Sequence, residues 1–240
     1  MNSPVWRSVW LRGAISAAIL AYLISGIDAA AAWAAVAQVD LLLLLAVLGL
    51  VAVGRSVMIG RWLLVLRGSG HRVAVKSVAW IFLVSSFVGS ALPASVGGDA
   101  ARAYTLSRRT DDTSEAVASV AIDRLFGILS LAVLAVIGAL LWGSADDALP
   151  LGAVWTAAGL VVVAGAGVFW ADRLVRRLLP SSWQDTRVAL ALVGLADALS
   201  RYRNRRATLA GVFALSVAVQ LLRVLQAYLL GLGLGIDVTL

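Results

Sequence analysis

The sequence predicts an all-α polytopic membrane protein with about five transmembrane helices and one re-entrant helical hairpin. Its 240 residues are 61% hydrophobic, with a mean hydropathy of +0.94, far outside the range of soluble domains. Several apolar runs reach the roughly 20 helical residues that a hydrocarbon core about 30 Å thick requires. No stretch alternates as transmembrane β-strands do. We therefore expect a single integral membrane domain over residues 1–240.

Charged residues follow the pattern of a membrane protein. The chain has 20 Lys and Arg against 13 Asp and Glu, a net charge of +7. The basic residues cluster at the ends of apolar runs, where the positive-inside rule and anionic lipids explain them. We therefore expect membrane lipids as partners and no nucleic acid. Cysteine is absent and His71 is the single histidine, so we expect neither a metal nor a cofactor, because metal sites recruit clusters of ligands.

Five apolar segments are predicted to cross the membrane as helices. They cover residues 13–27, 41–66, 116–142, 151–170 and 207–234. Arg7 and Arg12 precede the first segment, whereas residues 28–40 hold acids and no bases. By the loop-charge rule the amino terminus is cytoplasmic, and we expect the protein in the plasma (inner) membrane.

The basic segment over residues 172–206 is assigned to the cytoplasm for the same reason. Apolar residues recur within it at near-helical spacing, which predicts an amphipathic helix on the membrane surface or against neighbouring spans. These residues are Val188, Leu192, Leu195, Leu199 and Tyr202.

Residues 77–101 are expected to form the re-entrant hairpin. The flanking segments, 67–76 and 102–114, are both basic. Counting crossings back from the basic segment places both flanks in the cytoplasm, so the chain between them must enter and leave through one face. The alternative is a complete third crossing.

The sequence around residue 93 supplies the means for such a return. Pro93 removes a backbone donor and ends the first helix. Gly97 and Gly98 permit backbone angles closed to other residues. Asp99 is predicted to cap a second helix, with Arg102 in its first turn. Irregular backbone at membrane depth requires cover by protein or a wet cavity, and packing among the spans would provide it.

Several charges fall inside the predicted spans, where they are costly. Asp123 and Arg124 are adjacent, and neighbouring helical residues point in different directions, so we do not expect them to pair only with each other. The economical arrangement pairs Asp123 with Arg102 and leaves Arg124 for Asp99 or a ligand phosphate. A functional cavity and a purely structural buried pair both fit this pattern.

Three further arginines lie within the spans. Arg55 is too deep for its side chain to reach the interface easily, whereas Arg61 is expected to reach it. Arg223 falls inside the last span, and both a functional and a structural role are open for it and for Arg55. A helix start near Gly98 offers free N–H groups to an anion, and arginine suits bidentate contact with phosphate.

Four sequence elements occur together in this chain. They are Arg61-Trp62, Leu92-Pro93, Gly97-Gly98-Asp99 followed by Arg102, and Asp123-Arg124. This combination resembles the membrane region of lysylphosphatidylglycerol synthases and the free-standing flippase-like domain proteins. The resemblance implies an inner-membrane protein that moves or handles charged or polyprenyl-linked lipids. It departs at the end of the chain, since members typically carry a second Pro/Gly-Gly loop with an Arg-Glu pair. We expect a shortened member, a fragment, or a chain whose partner supplies that half.

The leading hypothesis is a protein, not an enzyme, that binds and translocates an anionic, aminoacylated or polyprenyl-linked lipid. The candidate substrate-binding residues are Pro93, Gly97, Gly98, Asp99, Arg102, Asp123, Arg124, Arg55 and Arg61. One alternative is a non-catalytic subunit that partners a glycosyltransferase or lipid synthase, or that forms a homo-oligomer. The other is a lipid-phosphate transferase with Asp99 or Asp123 as base. The sequence lacks a nucleophile–His arrangement or a nucleotide loop to support it.

Overall fold

Nine α-helices make up the regular structure of the described part of the chain. The computed structural model describes residues 9–26, 28, 30, 33–34, 37, 39–70, 73–91, 96–110, 112–142, 151–178, 186–203 and 205–236. The helices are α1 (Val9–Ser25), α2 (Leu41–Gly68), α3 (Val75–Ala91), α4 (Val96–Thr110), α5 (Thr113–Trp142), α6 (Leu151–Phe169), α7 (Ala171–Leu178), α8 (Arg187–Tyr202) and α9 (Arg206–Gly233).

Three of the described helices are long and apolar enough to cross a membrane. They are Leu41–Gly68, Thr113–Leu141 and Arg206–Gly233, with mean hydropathies of 2.4, 2.3 and 1.9 over their most apolar windows. At 1.5 Å per residue, 28 residues extend for about 42 Å, more than the hydrocarbon core requires. The shorter helices α1 and α6 occupy the positions of two further predicted crossings. The all-helical architecture is that of a polytopic membrane protein, as the sequence predicts.

The chain divides into two compact units, Met1–Gly49 with Gln226–Leu240, and Leu50–Leu225. In the first unit, Asp40 caps α2, because its Oδ1 accepts hydrogen bonds from the N–H groups of Leu42 and Leu43 at 2.7 and 3.1 Å. Gly233 packs directly on Leu43, since a Cβ at Gly233 would lie 2.5 Å from the Leu43 Cδ2 atom. A small residue therefore brings two helix ends together there.

The core of the second unit joins helices that are distant in sequence. Its largest fully buried side chains include Trp62 and Leu66 of α2, Ile81 of α3, Ile122 of α5 and Tyr202 of α8. In a bilayer, close packing of this kind contributes van der Waals contact and not the burial of apolar surface from water. Within this unit α2 is joined to α5 by the Trp62 Nε1 donor, 3.4 Å from the Ser119 hydroxyl, and to α3 by Arg55, 3.4 Å from the Ser86 hydroxyl.

Helices α3 and α4, which contain most of the segment predicted as a hairpin, pack against each other in antiparallel directions. Gly89 and Ser85 of α3 lie against Gly98 of α4, and Phe82, one turn earlier, lies against Arg102. As the residue numbers fall along α3 they rise along α4, so the two helices run in opposite directions. Pro93 lies outside the described residues.

Two details of the predicted hairpin are wrong. Helix α4 begins at Val96 and not after Asp99, so Asp99 lies in its first turn and is not its cap. Gly98 is helical, and among the described residues only Gly70 and Gly235 have positive φ. The need for glycine at 98 is close approach, because a Cβ there would lie 2.8 Å from the Ser85 carbonyl oxygen and 3.1 Å from the Gly89 Cα.

The predicted amphipathic helix corresponds to α8, which packs on α5. Ala198, Leu199 and Tyr202 are buried on its inner face, whereas Leu192 is exposed. Thr186 caps the helix by accepting a hydrogen bond from the Ala189 N–H at 3.2 Å. The short helix α7 before it was not predicted.

A buried acid fastens α8 to the start of α5. Glu115 is 1% exposed and accepts hydrogen bonds from the Arg201 Nη2 atom at 2.7 Å and from the Tyr202 hydroxyl. Burial, followed by the bond to Glu115, raises the pKa of Tyr202, and the bond to Glu115 raises the pKa of Arg201. Both groups therefore remain protonated donors at any pH a cell experiences.

Candidate functional site

A charged cavity of about 340 Å³ lies within the second unit, among α2, α3, α4, α5 and α9. Five arginines and two aspartates line it, so positive charges exceed negative charges by three. These residues are Arg55, Arg61, Arg102, Arg124, Arg223, Asp99 and Asp123. A polar cavity between apolar helices is where a membrane protein keeps charges that serve a purpose.

Asp123 is the centre of a buried ion-pair triad. Its side chain is 3% exposed, and its Oδ1 and Oδ2 atoms accept from the Arg61 Nε at 2.8 Å and the Arg102 Nη2 at 3.0 Å. Arg61 also donates from Nη1 to the Ser216 hydroxyl at 3.0 Å. One carboxylate thus holds two guanidinium groups from two different helices, and charge-assisted bonds of this kind are the strong ones.

The position of Arg61 corrects a prediction. Arg61 was expected to reach the membrane interface, but its side chain is 6% exposed and turned onto Asp123. Snorkelling is favoured only where no partner exists at depth, and α5 supplies that partner. Arg61 remains a candidate because it lines the cavity.

Arg102 packs between two aromatic rings, and one of its buried donors has no hydrogen-bond partner among the described residues. Its Cζ lies 4.8 Å from the Trp62 ring centroid and 5.4 Å from that of Phe82, distances at which a cation is attracted to a ring face. The Arg102 Nε atom is buried and has no hydrogen-bond partner among the described residues. A buried donor without a partner is costly, and this one belongs to a cavity-lining side chain.

A second, more accessible ion pair joins Arg124 and Asp99. The Arg124 Nε and Nη2 atoms donate to both carboxylate oxygens of Asp99, with 2.9 Å between Nη2 and Oδ1. The Arg124 side chain is 52% exposed and that of Asp99 24%. This is the pairing that the sequence predicted, with Asp123 and Arg124 facing different partners. The pair is open enough for a ligand to exchange with one of its members.

Arg55 and Arg223 line the cavity without a carboxylate partner among the described residues. Arg55 donates to the Ser86 hydroxyl at 3.4 Å and Arg223 to the Gln220 Oε1 at 3.3 Å. Gln220 is itself anchored, since its Nε2 donates to the Gly127 carbonyl at 3.1 Å. Arg223 also experiences the repulsion of Arg61, Arg55 and Arg124.

The cavity has two levels along its helices. Arg61 lies about 10 Å from the end of α2 at Gly68, and Arg55 about 20 Å from it, at 1.5 Å per residue. Arg223 lies about 26 Å along α9 from Arg206. The triad therefore occupies one level, and the two arginines without carboxylates lie deeper.

Sequence reasoning missed the polar residues that α9 contributes. Ser216, Gln220 and Arg223 line the cavity or bond to its residues, and only Arg223 was noted, outside the candidate set. Their spacing of four and three residues places them on one helix face, a signal that was available. Among the described residues, no group of three acids or histidines stands together as metal ligands would.

Comparison with known proteins identifies the family of this chain but no individual relative. No curated protein and no solved structure has significant similarity to this chain. The sequence model of the lysylphosphatidylglycerol synthase TM region matches residues 9–240, and the chain therefore belongs to that family.

Proposed function

We propose that this protein binds the headgroup of an anionic membrane lipid in the charged cavity and translocates it across the membrane. The observation that carries the proposal is the cavity itself, with three more positive than negative charges between apolar helices. Such charges are costly in a bilayer unless they are paired, and a bound anion would pair them. Membership of a family named for a lysylphosphatidylglycerol synthase supports a membrane lipid as the source of that anion.

The chemistry of translocation fits the dimensions of the site. The acyl chains of a lipid can remain in the hydrocarbon core throughout, so only the headgroup requires a polar route. Arginine presents a planar fork of donors that matches a phosphate group. We propose that Arg55, Arg124 and Arg223 contact the headgroup, whereas the triad around Asp123 holds the walls of the cavity in place.

No covalent step is part of the proposal. Each oxygen of Asp123 accepts from an arginine, and both oxygens of Asp99 accept from Arg124, which leaves neither carboxylate free as a base. Release of inorganic phosphate from a lipid phosphate by the purified protein would contradict this.

Transport is tested with single arginine replacements. We expect Arg55→Gln and Arg124→Gln each to slow headgroup translocation about 10- to 100-fold, because each removes a charge-assisted hydrogen bond worth about 1.5–3 kcal/mol. The measurement is the quenching by dithionite of fluorescent analogues of phosphatidylglycerol and of phosphatidic acid in reconstituted vesicles, each lipid being assayed separately. Arg67→Gln is the matched control, since Arg67 lies on the same helix but is exposed and outside the cavity. If Arg55→Gln and Arg124→Gln translocated the lipid as fast as Arg67→Gln, the cavity would have no part in translocation.

We also propose that α3 and α4 form a re-entrant hairpin that opens to the cytoplasm. The native chain has no cysteine, so single cysteines can be labelled without background. We expect Ser107→Cys, at a partly exposed position of α4, to resist a membrane-impermeant maleimide in intact cells and to react in inside-out vesicles. Ala30→Cys is exposed and lies in the base-free segment 28–40, which the loop-charge rule places outside the cell, and it should show the opposite pattern. Labelling of Ser107→Cys in intact cells would mean that the hairpin is a complete crossing.

A further inference from the structure

We infer that the ligand of the cavity carries at least two negative charges on its phosphate group, as a phosphomonoester or a diphosphate does and a phosphodiester does not. This inference rests on the proposed function and names the class of anion within it.

The charges around the cavity do not balance. Asp99 neutralises Arg124, and Asp123 neutralises one of the two arginines that share it. The remaining positive charges are those of Arg55, Arg223 and the second arginine of the triad. Arginine does not lose its proton in proteins, so the cavity cannot remove this excess by titration. A singly charged phosphodiester would leave two of the three charges without a counterion in an apolar environment, whereas a doubly charged group would leave one.

Two of the unbalanced positive charges lie at the same level of the cavity. Arg55 extends from α2 and Arg223 from α9, and both lie at the deeper level of the cavity. Their partners there are neutral, Ser86 and Gln220, at 3.4 and 3.3 Å. These long, neutral bonds hold the two guanidinium groups at the cavity wall without reducing their charge.

The arginines of the cavity also supply hydrogen-bond donors for the oxygens of a phosphate group. A phosphomonoester has three terminal oxygens that accept strong hydrogen bonds, one more than a phosphodiester. At the deeper level of the cavity, Arg55 of α2 and Arg223 of α9 both present guanidinium donors, and each guanidinium can donate two parallel hydrogen bonds. A third terminal oxygen gives these two groups one more acceptor to share, which favours a monoester over a diester.

The charge of the ligand also sets the expected effect of pH. The second proton of a phosphomonoester leaves with a pKa of about 6, so the group is singly charged near pH 5 and doubly charged near pH 8. A phosphodiester is singly charged at both. The charged groups that face the cavity from every surrounding helix are Arg55, Arg61, Asp99, Arg102, Asp123, Arg124 and Arg223.

The experiment compares two lipids that differ only in this charge. Dihexanoyl phosphatidic acid and dihexanoyl phosphatidylglycerol are titrated into the purified protein in a neutral detergent, with calorimetric detection. We expect phosphatidic acid to bind about tenfold more tightly at pH 8, and this preference to fall to about twofold or less at pH 5. The double variant Arg55→Gln with Arg223→Gln should lose the preference at pH 8, while Arg67→Gln should keep it.

The outcomes separate the two proposals. Equal binding of both lipids at pH 8 would overturn the inference about charge and leave the proposed function standing. Binding of neither lipid would overturn the proposed function, and the inference with it. Inorganic phosphate is titrated alone as a third arm. Binding as tight as that of phosphatidic acid would support a doubly charged anion while contradicting a lipid as its source.

Discussion

Asp123→Asn is expected to destabilise the protein by about 3–5 kcal/mol, the cost of breaking a buried ion pair from one side. Asparagine keeps the shape of the side chain but removes the charge that holds Arg61 and Arg102 at 2.8 and 3.0 Å. Two buried guanidinium groups would then repel each other, and the carboxylate that remains, Asp99, lies 3.8 Å from Arg102 and is already shared with Arg124. The measurement is the free energy of unfolding in mixed micelles titrated with dodecyl sulfate and followed by tryptophan fluorescence.

The matched control for this variant is Asp197→Asn. Asp197 accepts from Arg176 at 2.9 Å, but the side chains are 42% and 62% exposed. An exposed pair contributes about 1 kcal/mol or less, so the same chemical change should have a small effect there. If the two variants lost similar stability, Asp123 would not be the residue that holds the cavity together.

Gly98→Ala is expected to destabilise the protein by about 1–3 kcal/mol and to weaken lipid binding as well. The added methyl group would lie 2.8 Å from the backbone oxygen of Ser85, and backbone atoms of a packed helix cannot move aside cheaply. Separation of α3 from α4 would shift Asp99 and Arg102, which follow on the same helix and line the cavity. Unfolding in mixed micelles and lipid titration of the same preparation measure the two effects.

Gly60→Ala is the control for this substitution. A Cβ at Gly60, in the middle of α2, would meet no atom within 4 Å. Alanine is favoured over glycine inside a helix by about 1 kcal/mol, so this variant should be as stable as the native protein or more so. A Gly98→Ala protein that behaved like Gly60→Ala would show that close approach of the hairpin helices is not required.

The pairing of charges was only partly predictable from sequence. Asp123 and Arg124 are neighbours, and the turn angle of an α-helix directs adjacent side chains apart. That local rule is sufficient to predict separate partners, and Arg102 and Asp99 are the partners observed. Arg61 was misplaced because its depth was judged from its own helix alone. Its contact with Asp123 joins residues 62 positions apart, and no local pattern encodes such a contact.

The packing of α3 against α4 was also only partly predictable from sequence. A proline and a Gly-Gly pair a few residues apart in an apolar sequence predict a turn between helices, and α3 and α4 are indeed antiparallel. Glycine has two uses, however, and composition does not distinguish backbone freedom from the lack of a side chain. Only the contact of Gly98 with Gly89 and Ser85 identifies the second use.

Hydropathy along the chain is enough to predict a polytopic helical membrane protein, the segments that form its long apolar helices, and the charges that lie within them. Those properties depend on hydropathy and on helix length, both of which are local. Tertiary structure alone decided which arginines share Asp123, which remain without a carboxylate, and how the excess charge is arranged around one cavity. Charge balance is a property of side chains brought together from four helices, so it exists only once the helices have packed.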